Sequence, residues 1–266
     1  MNRFTHWMAT HSLLAKIIFS VFLCTVYTGL LVFLKVGYGG IVIFDLILIL
    51  ATICYVDSCS VKLLNAAIRV LNEQCDPYPL LQESKRQLAS AKTGMLKQQL
   101  LINYYAAKVS LGEYQAVYEG LSAIHVDKYP GFSPSAKFVY YNNLSSVCDD
   151  LKLTDQAEIW YQKSLQLYQD LKSSKQKEQL RESMEEAKIQ SLIRKQEYIQ
   201  ALQLLNTFSA STLYKKVHAS FSASQIYLAQ GMPEKAREHL QYVITHGNKL
   251  HVVTLAKELY QSITQS

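Results

Sequence analysis

Between Lys16 and Lys35 lie eighteen residues, Ile17 to Leu34, without a single charge. No other feature limits the possible folds so tightly. An α-helix rises 1.5 Å per residue, so this run comes close to the ~20 residues that cross the ~30 Å hydrocarbon layer of a bilayer. The two lysines can hold their ammonium groups at the headgroups while their stems stay apolar. A first span over about 13–36 is expected.

A second apolar run, Ile41 to Val56, follows the break Gly37-Tyr38-Gly39-Gly40 and is interrupted only by Asp45. The pair reads as a transmembrane helical hairpin with spans at about 13–36 and 38–56, so residues 1–58 form a membrane anchor. One span followed by a buried or interfacial helix stays open as the alternative. The apolar core is longer than a signal-peptide core and no small-x-small cleavage site follows it, so the segment is expected to be retained. Arg3 and Lys16 precede the first run, Lys62 and Arg69 follow the second, and Lys35 alone sits at the turn. This asymmetry implies an integral protein of the cell membrane with both termini and the C-terminal region cytoplasmic. An intramembrane carboxylate is costly and is a functional candidate by default. For Asp45 the favoured reading is structural, with Lys35 or interfacial water near Tyr38 as its partner, against a proton or ion site.

The remaining residues, 59–266, are enough to bury a continuous core. Only five prolines and ten glycines occur in the whole chain, which favours long helices, and an all-α fold is expected. The five cysteines, Cys24, Cys54, Cys59, Cys75 and Cys148, are an odd number with no CxxC pair. Neither a disulfide framework nor a zinc site is indicated. The net charge of +6 is dispersed, and without a basic stripe interleaved with aromatics no nucleic-acid partner is expected.

Apolar spacing at three and four residues predicts helices over about 60–73, 80–91, 95–109, 113–124, 134–151, 155–171, 178–195, 198–208, 214–229, 233–245 and 250–263. Ser133-Pro134 reads as an N-cap followed by proline at the first helical position. Asp155 with Glu158 three residues on has the spacing of a capping box. The pairs Tyr104-Tyr105 and Tyr140-Tyr141 are each expected to place one ring in the core and the other outside it. Glu182, Glu185, Glu186 and Lys188 are read as a solvated face.

The connections at Gly112, Leu153, Gln196 and Gly231 lie 35 to 43 residues apart. In the clearest copy, Ser220 to Val243, the positions Ala223, Tyr227, Gly231, Ala236, Leu240 and Val243 carry small, aromatic, turn-glycine and core residues. Tyr198, Ala201 and Leu205 continue the pattern in the copy before it. Leu144, Ala157 and Tyr161 continue it in another, and Gly112, Tyr114 and Leu121 in the earliest. This pattern resembles the tetratricopeptide repeat over about 98–266. The resemblance implies an α-solenoid of helix pairs, whose concave face holds a peptide or a partner's helix. Transferred onto this sequence, the groove positions are Asn142, Ser146 and Asp149 in one copy and His218, Phe221, Gln225 and Leu228 in the best one. Asn103, Lys108 and Asn142 are only fragments of the Lys and Asn pattern by which some relatives clamp a terminal carboxylate, so that specificity is not expected.

No HExxH, phosphate-binding Gly-rich loop, GxSxG or Cys-His arrangement occurs, so the chain does not read as an enzyme, and no cofactor or metal is expected. His239, His246 and His251 are read as surface residues on different turns. The functional expectation is a membrane-anchored scaffold or adaptor for a protein or peptide. An accessory subunit of a membrane transport or export complex, or a peptide or small-molecule sensor, are the alternatives. Oligomeric state is not legible.

Overall fold

The computed structural model describes residues 3–35, 37–91, 94–129 and 131–265, excluding the side chains of Arg3 and Gln265. Val36 at the end of the expected first span, Thr93 before Gly94, Pro130 of Pro130-Gly131 and the terminal Ser266 lie outside the described residues. Every regular element among those described is a helix. In order they are α1 (Arg3–Thr10), α2 (Ser12–Phe33), α3 (Tyr38–Gln74), α4 (Tyr78–Ser90), α5 (Met95–Ser110), α6 (Tyr114–Ser122), α7 (Pro134–Asp150) and α8 (Thr154–Asp170). Then follow α9 (Ser174–Arg194), α10 (Tyr198–Thr207), α11 (Leu213–Ala229), α12 (Pro233–His246) and α13 (His251–Gln265), with a short 3-10 turn over Val126–Lys128 between α6 and α7. Contacts divide the chain into two units, Met1–Ala67 and Ile68–Ser266. The division falls inside α3, because no proline or glycine interrupts residues 41–76 and the helix runs on for 37 residues.

In the first unit, α2 and α3 are both long and apolar enough to cross a membrane. They run antiparallel, since contacts on α3 move toward lower numbers as those on α2 rise. Lys16 Nζ meets Asp57 Oδ1 at 2.6 Å, the Tyr27 and Phe44 rings lie 5.6 Å apart, and Thr28 Oγ1 donates to Asp45 Oδ2 at 2.9 Å. The partner of Asp45 in the structure is thus Thr28, not the expected Lys35. Thr28 lies seven residues before Lys35, about 10 Å along the helix axis. Helix α1, which the apolar pattern did not reveal, buries Met8 and Ala9 with Ala15, Val56 and Cys59. Val21, Phe22, Val26, Ile43, Ile47 and Leu50 are more than half exposed. Surface of that kind is unfavourable in water and matches hydrocarbon.

In the second unit one turn occurs four times. Gly112, Lys152, Gln196 and Gly231 all adopt positive φ, at 82°, 61°, 60° and 69°. In each copy this residue's N–H donates to the carbonyl three residues back. The next N–H donates five residues back: Glu113 to Lys108, Leu153 to Cys148, Glu197 to Leu192 and Met232 to Tyr227. This is the left-handed helix stop that satisfies otherwise orphaned carbonyls. Five residues before the stop the side chain is buried each time, at Ala107, Val147, Ser191 and Ile226, and five after it at Val117, Ala157, Ala201 and Ala236. Small residues predominate there because the two helices joined by the turn approach closely, α7 against α8 and α11 against α12.

Two of the four stops use glycine, and they differ in their surroundings. A Cβ at Gly231 meets nothing within 4 Å, whereas one at Gly112 falls 2.4 Å from His251 Cγ. Gly231→Ala is expected to cost about 1 kcal/mol for the left-handed backbone alone. Gly112→Ala adds overpacking against α13, for about 2–4 kcal/mol in all. Urea unfolding of the two variants measures the difference.

Three expectations are corrected. Ser133 does cap α7, accepting from Ala136 N at 3.1 Å, but Asp155 lies inside α8, whose N-cap is Leu153. Glu158, freed from capping, pairs with Arg194 and Lys195 instead. Tyr140 and Tyr141 are both buried, since α7 is covered on two sides. Tyr140 donates to the carbonyls of Leu121 and Ile124, while Tyr141 stacks on Trp160 of α8 and donates to Asp127 Oδ2. Helix α9 begins at Ser174, ahead of the expected 178, because the Ser173 hydroxyl accepts from Gln176 N.

Candidate functional site

Helices α5, α7, α9 and α11, each preceding one of the four stops, contact one another in sequence: α5 with α7, α7 with α9, and α9 with α11. Polar side chains tie the last three together. Arg194 of α9, only 6% exposed, gives Nη1 to Asp149 Oδ1 at 2.5 Å and Nη2 to Glu158 Oε2 at 2.8 Å. Lys195 Nζ and Ser191 Oγ also reach the Glu158 carboxylate, at 2.9 and 3.1 Å. Burial pushes that carboxyl upward, but hydrogen bonds from Lys195, Gln162, Arg194 and Ser191 outweigh it and hold Glu158 at about 2. Toward α11, Gln190 Nε2 donates to Ser222 Oγ at 2.8 Å, and Lys215 Nζ meets Glu182 Oε2 at 2.8 Å.

Beside these ties lies a cluster of titratable side chains close enough to act on one another's charge. Asp150 ends α7, and burial followed by the charge of Asp149 pushes its carboxyl up to about 7. Glu186 of α9 is 27% exposed and 4.0 Å from Lys215 Nζ. Burial and the neighbouring Glu182 outweigh that ammonium and push it to about 7 as well. On α11, burial raises Tyr214 to about 12, and its hydroxyl stands 3.5 Å from Ser110 Oγ of α5. The Tyr214 and His218 rings are 4.4 Å apart, and His218 Nε2 is buried with no hydrogen-bond partner. Burial lowers this imidazole to about 4. Tyr114 is raised by burial and by the charges of Asp150 and the Tyr214 phenol. Carboxyls that are part protonated near neutrality can donate as well as accept, so the face suits polar recognition.

The sequence-derived groove residues occupy two helices. On α7, Asn142 is half-buried, Ser146 exposed and Asp149 committed to Arg194. On α11, His218 lies against Tyr214, and Phe221, Gln225 and Leu228 are half-buried. Helix α9 mediates between the two sets, reaching α7 through Arg194 and α11 through Gln190. Sequence reasoning missed Asp150, Glu186, Arg194 and Tyr214. Tyr214 stands one turn before His218 on the same stripe, a signal that was available. Glu182 and Glu186 do not form the expected solvated face: Glu182 is held by Lys215 and by the Ser211 hydroxyl, and Glu186 faces Lys215 at 4.0 Å. Only α9's packing against α11 decided this.

The three histidines each engage a tyrosine. His239 stacks on Tyr227 at 5.5 Å, His246 on Tyr242 at 4.2 Å, and His251 meets Tyr114 edge-on at 5.7 Å. Among the described residues no group of three or more His, Cys, Asp and Glu side chains is placed to hold a metal.

Acidification acts on this face with two signs. His218 is kept neutral, so the stability it confers is present above its ordinary value of 6.5 and lost as pH falls toward about 4. Glu186 binds its proton more readily folded than unfolded, so it costs stability above about 7 and this cost fades as pH falls toward 4.5. Glu186→Gln is therefore expected to gain about 1 kcal/mol over the parent at pH 8, a figure reduced for solvent access. The variant should then lose stability more steeply between pH 6.5 and 4. Thermal unfolding across that range checks both arms.

No family model matches the chain, and no curated protein or solved structure matches it.

Proposed function

We propose that this chain is a membrane-anchored helical-repeat adaptor that recruits a protein or peptide partner. The observation that carries the reading is the fourfold recurrence of one helix–stop–helix turn, with the preceding helices side by side. Repetition of that kind generates an α-solenoid of the tetratricopeptide type, whose side-by-side helices present a continuous binding face. Asn142, Ser146 and Asp149 of α7 and His218, Phe221, Gln225 and Leu228 of α11 are the proposed partner contacts, together with Tyr214 and Glu186. A half-exposed aromatic and a set of part-protonated carboxyls suit an extended segment bearing both apolar and polar side chains.

The anchor in this reading is a transmembrane hairpin of α2 and α3 in the cell membrane, with the second unit in the cytoplasm. Topology reporters at Gly39 and Ser266 test the orientation; an external reporter signal at Ser266 would reverse it. The adaptor reading is tested by cross-linking the full chain in its native membrane and identifying the captured proteins. A partner lost on Phe221→Ala with Gln225→Ala supports it. A partner retained by that variant but lost on Asp45→Asn would transfer the function to the spans.

That second reading, an accessory subunit of a membrane complex, rests on Asp45 itself. Its Oδ2 is bonded to Thr28, but its Oδ1 is buried without a hydrogen-bond partner. An incompletely satisfied carboxyl at membrane depth is a group that an assembly can complete.

A further inference from the structure

Away from the α7–α9–α11 face, the 3-10 turn and helices α7 and α8 border an open pocket of about 260 Å3. Its inner wall is apolar, made by Ile124, Val126, Tyr140 and the stacked Tyr141–Trp160 pair, whose centroids are 5.6 Å apart. The polar groups around its mouth are Lys163, Lys128, His125, Ser122 and Asp127. Asp127 is spent: Lys137 Nζ occupies Oδ1 at 2.9 Å and the Tyr141 hydroxyl occupies Oδ2 at 2.9 Å. Those two bonds, with the charges of Lys137 and Lys163, outweigh burial and hold the carboxyl below its ordinary value.

Lys163 has no carboxylate within ion-pair distance among the described residues. Its ammonium rests 4.5 Å over the Trp160 ring and 5.4 Å from the Tyr141 centroid. A cation held on two aromatic faces has its stem ordered in advance, so capturing an anion costs it little rotamer entropy. Asp127 is bonded by Lys137 and feels Lys163 at longer range, so with Lys128 the region carries three cations against this one carboxylate. Behind the wall, Trp160 Nε1 is buried without an acceptor, so the local polar balance is short on the acceptor side as well.

We infer that this pocket binds a small organic anion, its carboxylate or similar charged group on Lys163 and its apolar body against Ile124, Val126 and the aromatic wall. The volume admits one ring-sized body, just under the ~300 Å3 at which small-molecule pockets begin. The site is separate from the proposed partner face, so its occupancy does not depend on that reading.

Trp7 and Trp160 are the only tryptophans, so Trp7→Phe leaves a single fluorophore in the pocket wall. Titrating the full-length Trp7→Phe chain in detergent with benzoate is expected to give a saturable change in Trp160 emission. Adding Lys163→Met, which keeps the stem length and removes the charge, is expected to weaken binding at least tenfold. Calorimetric titration of the unsubstituted chain gives the same comparison if Trp7→Phe does not fold. Inorganic phosphate carries charge without an apolar body; binding of phosphate as tight as benzoate would overturn the inference in favour of plain charge attraction. Absence of saturation with either anion, or equal affinity in Lys163→Met, would also overturn it.

Discussion

Arg194→Met is expected to lower the unfolding free energy by about 3–5 kcal/mol, the largest single-residue effect in the second unit. The side chain is 6% exposed and bridges Asp149 on its own pair's neighbour, α7, to Glu158 on α8. Methionine fills much of the same volume, so the loss reports charge and hydrogen bonding more than packing. The consequences for the two carboxylates differ. Glu158 keeps Lys195, Ser191 and Gln162, whereas Asp149 loses its Arg194 ion pair and remains where burial disfavours its charge. Asp149→Asn in the Arg194→Met background should therefore recover about 1–2 kcal/mol by removing the stranded charge. A double-mutant cycle by urea unfolding in detergent measures this coupling. Equal losses in the single and double variants would mean that Arg194 acts through packing alone.

The second large effect lies in the apolar helices. Val26 of α2 and Ile47 of α3 are each more than half exposed, and both lie within the uncharged parts of their helices. Arginine near the centre of a span costs roughly 2.5–3.5 kcal/mol on insertion-based scales. Val26→Arg with Ile47→Arg is thus expected to oppose insertion by about 6 kcal/mol and release the chain from membranes on alkaline extraction. Retention of the double variant in the membrane pellet would argue that these faces meet protein. The matched pair Val26→Leu and Ile47→Leu should extract like the parent, because it changes shape without polarity.

Much of the fold was legible because its signals are local. The uncharged runs, the three-and-four spacing of apolar residues, the Ser133-Pro134 cap and the glycines at 112 and 231 each act within a turn or two of helix. The recurrence of alanine five residues after the last three stops, at Ala157, Ala201 and Ala236, was readable for the same reason: two helices joined by a tight turn approach closely at a fixed distance from it. Lys152 and Gln196 hold the left-handed stop without glycine; the sequence placed one connection at Gln196 itself and the other one residue late, at Leu153. Helix α1 was missed because its eight residues make little more than two turns, too short a window for the spacing to stand out. They are ordered by packing against Val56 and Cys59.

The candidate site was legible only as two stripes. The positions on α7 and α11 follow from helical periodicity, but what stands between them does not. Arg194 sits in a charged stretch that reads equally well as a solvated face, and its role depends on α9 lying between α7, α8 and α11. The same holds for Glu182 and Glu186, assigned to solvent by their neighbours in sequence and turned toward Lys215 of α11 in the structure.

By itself, then, the sequence determined helix class, the approximate place of most helices, the two apolar runs and the repeated turn, because each depends on groups within about ten residues of one another. Tertiary structure alone decided that both Tyr140 and Tyr141 are buried, that Asp45 takes the Thr28 hydroxyl, and that Glu158 serves Arg194 instead of its own helix cap. It also decided that Lys163 rests over Trp160, with no carboxylate within ion-pair distance among the described residues. Each of these depends on which helix faces which, and that is fixed by the summed burial of apolar faces rather than by any short-range preference.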